Sequence, residues 1–139
     1  MKTEILKIAA AHLKPFLLVL SLIVLYRGHN EPGGGFIAGL MAGMAYVIYA
    51  GAFGVEQAKK LLLAKPLFFM GLGITVSIFS GMIGLMNGAE NFLTGVWTSI
   101  SFGDYSLKLG TPLLFDLGVY FTVAGMLVKV IFSVMEEDA

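Results

Sequence analysis

The chain has 139 residues, 58 % of them hydrophobic and 13 % charged, and nine lysines and arginines balance nine aspartates and glutamates. Soluble domains carry roughly a quarter charged residues, so the composition is that of an integral membrane protein, and the even balance gives no basic surface for nucleic acid. Cysteine is absent, which excludes thiolate catalysis, disulfides and cysteine-ligated zinc or iron–sulfur clusters within the chain.

A bilayer core of roughly 30 Å needs about 20 apolar residues in a helix. The first stretch that answers this is about residues 8–25, interrupted by Lys14, a lysine near enough to one end to reach the headgroups. Lys2, Lys7 and Lys14 ahead of "PFLLVLSLIVLY" imitate a signal peptide. Polar "RGHNEP" follows where small cleavage-site residues would stand, so the segment reads as retained. Next comes "RGHNEPGGGFIAGL" (27–40), a polar and glycine-rich turn into a second span at 36–55. Pro32 fixes its own φ, and Gly33 and Gly34 admit backbone conformations closed to other residues, so the chain can turn sharply here. His29, Asn30 and Glu31 are placed to cap the start of the second helix.

A third span covers 66–88, and a fourth covers 112–135, where Thr111 reads as an N-cap with Pro112 at the first helical position. Between them, Phe92, Trp97, Phe102 and Tyr105 alternate with polar residues, which predicts a short turn or ribbon at the membrane interface. The predicted fold is an all-α membrane domain, one four-helix bundle with an interfacial loop between spans three and four. Lys2, Lys7, Lys14, Lys59, Lys60 and Lys65 fall on one side, against Arg27 and Lys108 on the other, so both termini are expected in the cytoplasm.

Small residues recur on the spans: Gly35, Gly39 and Gly43 on the second; Gly73, Ser77 and Gly81, then Ser80, Gly84 and Gly88, on the third. In lipid such rows let helices approach closely. Either these rows serve the internal bundle, or at least one of them docks another subunit.

Catalytic and metal chemistry find little support. No lysine or hydroxyl follows Gly35 as a phosphate loop requires, and His29 and Glu31 lack a third metal ligand. Two histidines in a chain mostly within the membrane make no credible triad, so neither enzyme activity, cofactor nor metal is expected. The intramembrane charges remain. Asp116 and Lys129 lie roughly 20 Å apart on one helix and cannot pair with each other. Asp116 is a candidate proton carrier or a structural anchor paired with Arg27, and Lys129 either snorkels or meets a neighbour's carboxylate. Arg27, His29 and Glu31 complete the set of candidate ion-path or polar-anchor residues.

"GHNEPGGGFIAGL" (28–40) and "LGTPLLFDLGVYFTV" (109–123), in that order and with "FLTGVWT" (92–98) between, resemble the B subunit of Mrp-type multisubunit cation/proton antiporters, the MnhB family. The resemblance covers nearly the whole chain. It implies an accessory subunit of a hetero-oligomeric prokaryotic cell-membrane complex that exchanges Na⁺ for H⁺, with larger subunits carrying the main proton half-channels. Similar subunits occur in the cation-translocating modules of energy-converting membrane hydrogenases, which gives the alternative host complex.

Overall fold

The computed structural model describes residues 2–28, 33–88, 90–92, 94–103 and 105–138. His29, Asn30, Glu31 and Pro32, the polar part of the glycine-rich turn, lie outside the described residues. Four helices are long and apolar enough to cross a membrane: α1 (Lys2–Arg27), α2 (Gly35–Phe53), α4 (Pro66–Met86) and α5 (Thr111–Glu137). A short α3 (Val55–Lys60) joins the second span to the third, and β1 (Trp97–Phe102) with β2 (Tyr105–Gly110) forms an antiparallel hairpin before the fourth.

Span boundaries differ most at the N-terminus. With 26 residues against the 19 of α2, α1 is about 10 Å the longer. Its extra turns carry Glu4 and Lys7, paired at 3.5 Å. The second span stops at Phe53 because Gly54 takes φ +92° and breaks the helix, and "VEQAKK" restarts it as α3.

The predicted ribbon is present as the hairpin, its register running from Trp97↔Gly110 to Phe102↔Tyr105. The indole of Trp97 lies on Gly110, where a Cβ would come 2.6 Å from the ring. Strand β2 then runs straight into α5, and this corrects the expected cap. Gly110, extended at φ −144°, is the N-cap, so Thr111 and Pro112 each sit one position further inside the helix. Thr111 is used differently. Its N–H donates to the Val96 carbonyl at 3.0 Å, and its hydroxyl accepts from the Val96 N–H at 3.0 Å. Its own carbonyl accepts from the Ser80 hydroxyl at 2.6 Å. One residue thereby ties the hairpin base to both α4 and α5.

The helices pack as a row in which α2 and α5 are the inner pair, α1 lying on α2 and α4 on α5. Small residues make both seams of α5. A Cβ on Gly39 would meet the Tyr120 carbonyl at 2.8 Å and Val123 Cβ at 2.9 Å, and one on Gly43 would meet Leu127 at 2.8 Å. On the other face of α5, Gly118 lies against Gly73 and Ser77, and Gly125 lies against Pro66 and Met70. Gly81, at the end of the second row, is covered by Phe92, and Gly84 of the third by the Thr94 carbonyl at 2.7 Å, while nothing lies within 4 Å of a Cβ on Gly88. The internal use of these rows accounts for all their residues but one: Gly35, Gly39 and Gly43 serve the interior, as do Gly73, Ser77, Ser80, Gly81 and Gly84, and Gly88 stands open. The loop ahead of the hairpin folds back onto α4 at Gly81 and Gly84. What faces outward instead is bulky and apolar, including Phe16, Val19 and Leu22 on α1 and Phe68, Ile78 and Phe79 on α4.

Candidate functional site

The fourth span begins where the second does, and Asp116 stands at that junction. Gly34, with φ +103° and ψ −176°, caps α2 in a conformation that suits glycine alone, and among the described residues no side chain caps this helix end. A Cβ on Gly34 would lie 3.5 Å from Asp116 Oδ2, and one on Gly35 would overlap the Asp116 carbonyl. The half-buried carboxylate therefore sits over the first turn of α2, whose leading N–H groups have no intrahelical partner. It also lies in the second turn of its own helix. The N-terminus of α2 is thus the helix end that the carboxylate faces.

One turn further along α5, Tyr120 reaches across to α1, its hydroxyl 3.0 Å from Ser21 Oγ. Ser21 donates its single proton to the Leu18 carbonyl at 2.7 Å, so Tyr120 is the donor in the tyrosine–serine bond. Both are buried, Ser21 completely. Sequence reasoning passed over this pair. The signal was there: a serine alone in "LVLSLIVL" and a tyrosine four residues after the intramembrane aspartate. On the opposite side the Ser77 hydroxyl donates to the Phe115 carbonyl at 3.4 Å.

Among the described residues the other candidates do not gather here. Arg27 ends α1 exposed, and no ion pair joins it to Asp116 among the described residues. Lys129 is exposed on α5, far from Asp116, with no ion pair among the described residues. No group of three His, Cys, Asp or Glu that could hold a metal occurs among the described residues. Lys14 has found partners that the sequence did not reveal. Its ammonium lies over the rings of Tyr46 and Tyr49, 5.1 and 5.7 Å from their centroids, a cation–π clasp between α1 and α2.

At the other end of the bundle Lys59 of α3 bonds to Glu136 of α5 and to Glu56, the latter at 3.3 Å. The Glu136 hydrogen bond is the main cause holding the Lys59 ammonium above its ordinary value of 10.5. A base whose pKa is raised by folding adds stability below its unfolded value and loses it as pH climbs through the folded one. Glu136→Gln is accordingly expected to lower the thermal midpoint slightly at pH 8. That difference should fade as pH climbs past 10.5 and Lys59 deprotonates; a melting series across this range checks it.

Comparison with known proteins places this architecture. The chain is 32 % identical over 123 residues to the B subunit of the Na(+)/H(+) antiporter of Alkalihalophilus pseudofirmus, covering 88 % of this chain and 85 % of that protein. To the corresponding Na(+)/H(+) antiporter protein of Bacillus subtilis it is 31 % identical over 140 residues, covering 96 % and 94 %. Among solved structures it superposes on the Mrp complex from Dietzia sp. DQ12-45-1b with a TM-score of 0.80 at 30 % identity. That match takes in 96 % of this chain but 14 % of the longer chain there. Residues 5–129 match the family described as a domain related to the MnhB subunit of Na+/H+ antiporter. With the four spans, the glycine turn and the hairpin all inside or bordering that match, the chain belongs to the MnhB family.

Proposed function

We propose that this chain is an accessory membrane subunit of a multisubunit Na⁺/H⁺ antiporter, required for assembly of the complex and for cation/proton exchange. The observation that carries the reading is the family match across residues 5–129, joined to relatives of nearly the same length that are named as antiporter subunits. The geometry is consistent with it. The chain spends its small residues on its own seams and presents broad apolar faces along α1 and α4. Within this reading Asp116 is an anchor that holds the start of α2 against α5, and the ion path belongs mainly to other subunits.

Purification of the tagged chain in mild detergent is expected to recover several different hydrophobic subunits. Vesicles from cells lacking the chain should lose Na⁺/H⁺ exchange and regain it when the chain is supplied. Recovery of hydrogenase-like soluble subunits instead would move the chain to a redox-driven complex.

The same reading puts the protein in a prokaryotic cell membrane with both termini cytoplasmic, because Lys59, Lys60, Lys65 and the lysines of α1 lie on the side of the chain ends. Cysteines introduced at residues 2, 63 and 138 should react with an impermeant maleimide only from the cytoplasmic face, and one at residue 103 only from outside. Labelling of residue 103 from the cytoplasm would reverse the orientation.

A further inference from the structure

A cavity of about 200 Å³ opens on the side of the helix row. Its floor is the α2–α5 seam at Ala42, Tyr46, Tyr120 and Phe121; Leu18 of α1 bounds one side, and Leu63 with the start of α4 closes the end. It is a slot rather than a chamber. Ala42 lies 11 residues before the end of α2 at Phe53, so the slot runs roughly 16 Å into the membrane from the α3 end. Its lining is apolar apart from the tyrosines. The slot is narrow and open along one side, and its walls are almost wholly apolar side chains. An extended hydrocarbon chain is narrow enough.

Charge along the slot selects the kind of chain. Lys14 stands one helical turn before Leu18 on the same face of α1, half-buried, with its ammonium against the ring of Tyr46, itself part of the slot wall. Lys65 immediately precedes Pro66, another wall residue. Among the described residues neither lysine has a carboxylate partner, the ion pairs at this end being taken by Lys59. Two cations without a carboxylate partner among the described residues thus flank the slot, Lys65 at its α3 end and Lys14 beside Tyr46 on its wall. We infer that the slot holds one acyl chain of an anionic phospholipid, with its phosphate between Lys14 and Lys65. On the orientation proposed above, the lipid comes from the cytoplasmic leaflet, where anionic headgroups attract basic residues. Lys14 then has a ligand as well as an aromatic support, and the lipid seals the α1 side of the α2–α5 seam.

The test uses the full-length chain purified in detergent, so it depends neither on the antiporter assignment nor on orientation. Equal amounts of phosphatidylglycerol and phosphatidylcholine with identical palmitoyl and oleoyl chains are added, and retained lipid is counted by native mass spectrometry. Phosphatidylglycerol should be retained roughly 25-fold or more over phosphatidylcholine, the product of about fivefold (~1 kcal/mol) for each of the two lysines beside an anionic headgroup. Lys14→Gln should reduce that preference by about fivefold without loss of helicity. Ala124→Phe, which fills the slot, should reduce retention of both lipids. Equal retention of the two lipids by the unaltered chain, or a preference untouched by Lys14→Gln, overturns the inference. So does a photo-crosslinker at position 63 that captures a polypeptide in the assembled complex instead of a lipid.

Discussion

Gly39→Leu should leave almost no folded chain. The Cβ alone would stand 2.8 Å from the Tyr120 carbonyl, and a backbone oxygen inside a helix cannot rotate aside as a side chain can. Overpacking of a tight core commonly costs ~1–3 kcal/mol, and here the two inner helices must separate along their whole seam, which puts the variant at or beyond the upper end. The readout is recovery of a monodisperse peak and its thermal midpoint in detergent, with Gly71→Leu as the control, since nothing lies within 4 Å of a Cβ there. Gly39→Ala should fall between the two. Recovery of Gly39→Leu equal to the control would mean that α2 and α5 do not meet on this row. Because the row is internal, the loss should appear in the isolated chain as well as in its complex.

Asp116→Asn tests the other strong constraint. An anion at a partly buried helix N-terminus contributes up to ~2 kcal/mol, and the amide keeps the shape of the carboxylate while removing its charge. We expect a lowered thermal midpoint and reduced recovery of the complex, with Na⁺/H⁺ exchange per assembled complex nearly unchanged. Exchange lost from a complex recovered at normal yield would place Asp116 on the ion path and defeat the anchor reading. Asp116→Ala should be worse than Asp116→Asn, because it also empties the space above Gly34. Arg27→Gln should not reproduce either effect, given that Arg27 makes no ion pair with Asp116.

The spans are legible in the sequence because hydrophobic runs of membrane-crossing length leave few alternatives, and the hairpin because aromatic and polar residues alternate from Phe92 to Tyr105. What stays hidden depends on which neighbour a residue meets. A glycine row announces close approach without naming its partner, so Gly35, Gly39 and Gly43 fit another chain as well as they fit Tyr120 and Val123 opposite them. The short α3 is invisible since six residues carry too little periodicity to stand out from a polar loop. Thr111 has the chemistry of a cap and spends it on binding the hairpin, which only the run-on from β2 into α5 explains. Among the described ion-path candidates, Asp116 is the one set over the first turn of α2. Lys14, in sequence simply a residue that reaches the headgroups, is held by two tyrosines on another helix.

The row order of the helices has a bearing on how the protein is made. The first two spans form one pair and the third and fourth another, yet the seam that joins the pairs runs between α2 and α5. Membrane helices generally insert first and associate afterwards. During synthesis the Gly35–Gly39–Gly43 face must therefore wait against lipid until the ribosome has delivered the last span, through α3, α4 and the hairpin. At translation speeds of about 5–20 residues per second, that interval lasts several seconds, and a half-built chain has an open groove exposed throughout it. Quality control that senses unpaired small-residue faces would find its target in this window, and release of α5 would end it.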